Sequence, residues 1–175
     1  MKRSLLLLAV AGIASANVFA ASNPATATFN VKMRVVKACS VIAGTASDID
    51  FGSQDASATN LAAQNDISVT CSKGTPYTIG LTPSNNSTTG AGVMAAQNAG
   101  GVTGNTDTVA YQLRSASGAA GAVWGNTNTS GTEAGNGVSG TGNGAAQAHT
   151  VYGTVASANV TPDAYNDVVT VTVRY

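Results

Sequence analysis

Two cysteines, a single histidine and one close pair of aspartates are the side chains in this sequence with the clearest capacity for chemistry. His149 has no Asp or Glu beside it, and no G-x-S-x-G turn supplies a nucleophile for a hydrolytic triad. Asp48 and Asp50 could share a face as glycosidase carboxylates do, but two residues apart they read first as turn caps. A metal centre needs more ligands than two thiols and one imidazole. Neither a P-loop nor a dinucleotide fingerprint occurs. The expectation is therefore no enzyme, no cofactor and no metal site.

The cysteines take their meaning from the compartment. Met1-Lys2-Arg3 is a short basic stretch, residues 5–13 are an apolar run, and Val18-Phe19-Ala20 places small residues where a signal peptidase cuts. Residues 1–20 read as a secretory signal peptide, too short in its apolar run to span a bilayer. In an exported chain Cys39 and Cys71 are expected to form one disulfide across a 32-residue step, lacking the C-x-x-C spacing of a redox pair. Without Lys2 and Arg3, six of the eight basic residues remain against eight acidic ones. A net charge near −2 with no cluster of Lys and Arg argues against nucleic acid as a partner. The remaining ~155 residues suit one domain with one core.

Only 9% of residues are charged and 20 are glycine, a composition that favours strands joined by turns over helices. The most ordered pattern lies just after the leader. Ala25, Ala27, Phe29, Val31, Met33 and Val35 alternate with Thr26, Thr28, Asn30, Lys32 and Arg34. A period of two puts the apolar set on one face of an extended strand, here roughly 36 Å long at ~3.3 Å per residue. Such a strand either pairs inside its own domain or inserts into another molecule.

Further strands are expected at 36–43, 66–71, 77–81, 109–113, 150–155 and 168–175, with a short apolar touch at 49–52 and almost no helix. In the last strand Val169, Val171, Val173 and Tyr175 share one face. The polar stretches 84–108 and 115–147 read as two long loops, with Trp124 burying itself to anchor the second. Short alternating strands with Gly, Asn and Ser between them predict an antiparallel β-sandwich.

Several short motifs occur in a specific order: Cys39-Ser-Val-Ile-Ala, then Asp50-Phe51-Gly52, then 67–81 with Cys71, Gly74 and Tyr77. Ala110-Tyr111-Gln112-Leu113, Val123-Trp124-Gly125, His149-Thr-Val-Tyr152-Gly153 and a Pro162-to-Tyr175 ending follow. In this order the chain resembles the spore coat protein U domain family, which also forms the Csu-type pilins of archaic chaperone–usher pili. One departure is Ala164, which stands where the family has glycine in its Pro-x-Gly-x-Tyr turn. Such a turn must then avoid a positive φ or bear strain.

The resemblance implies an all-β fold: an incomplete immunoglobulin-like antiparallel sandwich at 37–175, with a projecting N-terminal donor strand at 21–36. It implies a structural pilus subunit that polymerises by donor-strand exchange into an adhesive fibre on the bacterial surface. Ala25, Ala27, Phe29, Val31, Met33 and Val35 would be the donor residues; Val41, Val169, Val171, Val173 and Tyr175 would line the acceptor groove. The implied partners are copies of the same chain head to tail, a periplasmic chaperone, an outer-membrane usher and a tip adhesin subunit. The alternative is a secreted coat or biofilm-matrix protein of the same fold that forms no rod.

Overall fold

The computed structural model describes residues 23–44, 48–128 and 135–175. The leader expected at 1–20, the first two residues of the expected arm and part of the long stretch 115–147 lie outside the described residues. The chain divides into two units, one ending at Val35 and the other running from Val36 to Tyr175.

In the first unit, residues 25–35 carry no strand pairing, and their apolar side chains are exposed: Phe29 by 88%, Val31 and Met33 by 87%. The alternation that predicts a strand is therefore present in the sequence without a ladder to satisfy it.

The second unit is built from nine strands and, among the described residues, no helix. They are β1 (Cys39–Ala43), β2 (Thr59–Cys71), β3 (Pro76–Pro83), β4 (Ala91–Ala96), β5 (Thr108–Arg114), β6 (Val138–Thr141), β7 (Ala146–Ser157), β8 (Tyr165–Asn166) and β9 (Val169–Arg174). One sheet has the order β1-β2-β7-β5-β4-β8 and the other β6-β3-β9, and every pairing is antiparallel. This is the immunoglobulin-like sandwich that the sequence implies.

The core follows the period of two. Ile67, Val69 and Cys71 from β2 face Tyr77, Ile79 and Leu81 from β3, and Val109, Tyr111, Leu113, Val151 and Val155 complete the buried set. Burying a side chain of this size is worth ~1.5–3 kcal/mol. Trp124 is 1% exposed and its indole Nε1 donates to the Ile79 carbonyl at 2.8 Å, so its polar atom is satisfied inside the core. It anchors its stretch as the sequence predicts.

Three sequence expectations need correction. Residues 84–108 are not one loop, because β4 crosses them and pairs with β5; residues 115–147 contain β6 and the start of β7. The strand predicted at 66–71 begins at Thr59; the alternate half-buried positions of its first half are Leu61, Ala63 and Asn65, too mixed a set to show a hydrophobic pattern. The strand predicted from 36 begins at Cys39. Ala164, for its part, is not among the residues with positive φ, so its turn avoids the strain that glycine would have absorbed.

Candidate functional site: an open seam between two edge strands

The residues weighed first for chemistry are drawn into structural roles. Tyr77 Oη and His149 Nε2 lie 2.8 Å apart, and the rings meet edge to face with centroids 5.8 Å apart. This contact joins β3 to β7 across the sandwich. Burial lowers the His149 pKa from its ordinary value and raises that of Tyr77. Asp50 caps its own turn by accepting from the Gly52 amide at 2.7 Å. Among the described residues no three His, Cys, Asp or Glu side chains gather in a way that could hold a metal ion. Cys39 and Cys71 form the predicted disulfide, linking the paired residues at one end of β1 and β2.

The unusual geometry is at the sandwich edge where β1 and β9 lie, each the last strand of its sheet on that side. Directly paired residues in a ladder point to the same face. Val41 and Ala43 are opposite Val69 and Ile67, both buried, so they face the interior; Val41 is nevertheless 37% exposed. Val169, Val171 and Val173 are opposite Pro83, Leu81 and Ile79, the last two 0–1% exposed, yet all three valines are only half-buried. Inward-facing side chains that stay wet have no layer to cover them. Tyr175, beyond the end of β9, is 53% exposed. The structure thus brings four of the five predicted groove residues to the two facing edges of one seam, with Tyr175 beside its end.

A cleft of about 620 Å³ opens in the seam, with Ala43 and Gly44 on one side, Val169 and Val171 on the other, and the core side chains Leu81 and Leu113 at its floor. The segment 48–52 lies across this opening. Ile49 and Phe51 pack on Gly153 of β7, where an added Cβ would come within 2.9 Å of Ile49 Cγ2 and 3.0 Å of Phe51 Cζ. A second cleft of about 610 Å³ lies beyond that plug, reaching Leu61 and Val155. The apolar touch at 49–52 is evident in the sequence but its position is not; the one local signal is the glycine inside the β7 pattern, which marks a close approach.

At the mouth of the first cleft the Asp167 carboxylate accepts from the Tyr111 hydroxyl at 2.6 Å and from the Val168 amide at 2.8 Å. Burial, and then the hydrogen bond to Asp167, drives the Tyr111 pKa far above that of an ordinary phenol, so this hydroxyl is a fixed donor. It pins the entry to β9.

A family model for the Spore Coat Protein U domain matches residues 25–172. The chain belongs to that family. The match takes in both the sandwich and the alternating stretch before it, in agreement with the resemblance carried by the ordered motifs. A search of curated proteins found no match. Among solved structures, this Spore Coat Protein U domain chain is similar to one in the CsuC–CsuE chaperone–tip adhesion subunit pre-assembly complex from archaic chaperone–usher Csu pili of Acinetobacter baumannii. The TM-score is 0.49 at 20% identity; the match covers 81% of this chain and 40% of that one.

Proposed function

We propose that this chain is a structural pilus subunit, exported through the periplasm and polymerised by donor-strand exchange into an adhesive surface fibre through a chaperone and an usher. The observation that carries the reading is the seam: Val41, Val169, Val171 and Val173 point inward from two unpaired strand edges and remain accessible to water. A strand laid between β1 and β9 would satisfy both edges with main-chain hydrogen bonds and cover these valines with alternate side chains. Residues 25–35 of a second copy have the required period, with Phe29, Val31, Met33 and Val35 as the large residues and Ala25 and Ala27 as the small ones.

Insertion needs movement. A strand paired on both sides holds its neighbours about 9.5–10 Å apart, whereas β1 and β9 come within 8 Å of each other. The disulfide tethers β1 at Cys39, so β1 opens by swinging about that end. Until a donor arrives, an exposed apolar seam with two free edges is an aggregation hazard, which is the physical reason for a chaperone to hold the subunit during export.

The test is gel electrophoresis in SDS, unboiled and boiled, of the secreted chain and of one lacking residues 21–35. The expected result is a ladder of multimers that collapses on boiling and is missing from the truncated chain. Monomer alone in both samples would refute the reading. A ladder without rods in electron micrographs would instead indicate a coat or matrix protein.

A further inference from the structure

The charges around the seam are segregated along its length. At the end where β1 finishes and β9 begins, the cleft is lined by Asp48, Asp50, Asp66 and Asp167, with no Lys or Arg among its walls. None of the four makes an ion pair among the described residues. At the opposite end, Lys37 precedes β1, Lys73 lies between β2 and β3, and Arg174 closes β9 opposite Thr78. The alternating strand is polarised as well: Lys32 and Arg34 lie in its C-terminal third, Ala25 to Asn30 carry no charge, and no acidic residue occurs between 23 and 44.

We infer that the seam's charge gradient selects and orients its occupant, the 25–35 strand of a second copy, with Lys32 and Arg34 at the Asp48, Asp50, Asp66 and Asp167 end. The inference rests on the strand-exchange reading and adds the determinant of direction to it. Hydrophobic side chains at every second position fit a groove almost equally well in either direction, because burial is non-directional. Charge breaks the tie. In one direction the strand's two cations meet four carboxylates; in the other they meet three cations. Met33 then enters the first cleft between its flanking cations, and the strand runs antiparallel to β9.

Each exposed pair contributes little, and salt weakens it over a Debye length of about 10 Å at 0.1 M. The effect is therefore one of direction and rate, on the order of tenfold for two pairs reversed together. The apolar contacts supply the persistence of the joint.

The experiment uses full-length chains. Lys32→Glu with Arg34→Glu should slow multimer formation on wild-type acceptors about tenfold at low salt, with the difference vanishing near 1 M salt. Asp48→Lys with Asp50→Lys, both exposed positions, should restore the rate for the reversed donor and slow the wild-type donor. In a second measurement, carbodiimide treatment of mixed isotope-labelled chains should link Lys32 of one copy to Asp48, Asp50, Asp66 or Asp167 of another. An unchanged rate for the reversed donor, a deficit not rescued by the reversed acceptor, or Lys32 links only to Asp107 or Asp163 would overturn the inference. These failures are separable from failure of the parent reading, which shows itself in multimers that persist when residues 21–35 are deleted.

Discussion

On the strand-exchange reading, replacing Phe29, Val31 and Met33 together by alanine isolates the apolar contribution to the joint between subunits. All three side chains are 87–88% exposed in the single chain, so they bury little apolar area there. On insertion they pass from water to the seam, a transfer worth ~1.5–3 kcal/mol for each side chain, of which alanine's methyl retains ~0.8. The net loss is roughly 1–2 kcal/mol per position and about 3–6 kcal/mol for three. At 1.4 kcal/mol per decade this amounts to about two to four decades in the joint's equilibrium constant, expressed mainly in dissociation. The assay is the decay of the multimer ladder in SDS at fixed temperature, alongside a thermal melt of the monomer. The variant's ladder should decay at least a hundredfold faster, on the order predicted by burial, while its monomer melts as the wild type does. A change in ladder lifetime under about tenfold would mean that less than ~1.4 kcal/mol of apolar burial holds the joint, and the donor assignment would fall.

Three further outcomes follow from the body of the fold. Trp124→Phe keeps most of the core volume but removes the indole's hydrogen bond to the Ile79 carbonyl, and should cost about 0.5–1.5 kcal/mol in urea unfolding from that bond; an unchanged midpoint would show that the bond contributes nothing. Gly153→Val places side-chain atoms where Ile49 and Phe51 sit, so limited proteolysis should cut segment 48–52 faster while the β2–β7 ladder stays uncut. An unchanged rate of cleavage at 48–52 would show that these side chains do not hold the plug. His149 is held below its ordinary 6.5 by burial, so folding favours its neutral form. Its contribution is complete above about pH 6.5 and is lost as pH falls through the lowered folded value; Asp107 and Asp163, both below their ordinary 3.8, add their losses at lower pH. Urea midpoints should therefore drop from pH 7.5 to pH 5 in the wild type and stay level in His149→Gln, and an equal drop in both would refute the assignment.

How much of the fold is legible in the sequence depends on side-chain size. β3, β5 and β9 carry Val, Ile, Leu or Tyr at every second position and are legible directly. β4 and β6 are not, because their inward positions include glycine. Gly92 is paired with Tyr111 and Gly140 with Tyr77, and in each case an added Cβ would fall 2.1–2.4 Å from the tyrosine ring. A tyrosine on one strand lies over the bare backbone of the next, so the hydrophobic signal sits on one partner and a turn-like residue on the other. The seam is legible in part: the valine pattern of β9 marks one wall and Val41 of β1 the other, while the plug at 48–52 depends on how two sheets meet, which no local period encodes.

The seam also changes what stability means for this chain. Val169, Val171 and Val173 belong by direction to the core and by exposure to the surface. On the strand-exchange reading their burial is completed only by another molecule, so part of the hydrophobic stabilisation of each subunit is released at polymerisation. Folding and assembly then draw on the same apolar surface. A stronger self-filling plug at Ile49 and Phe51 would steady the lone subunit and weaken the driving force for the joint by the same area. The half-buried state of both residues is what a chain under those two opposing demands is expected to show. It follows that substitutions enlarging the plug should raise the melting temperature of the monomer while slowing its entry into fibres, a trade that a fold with a closed edge would not display.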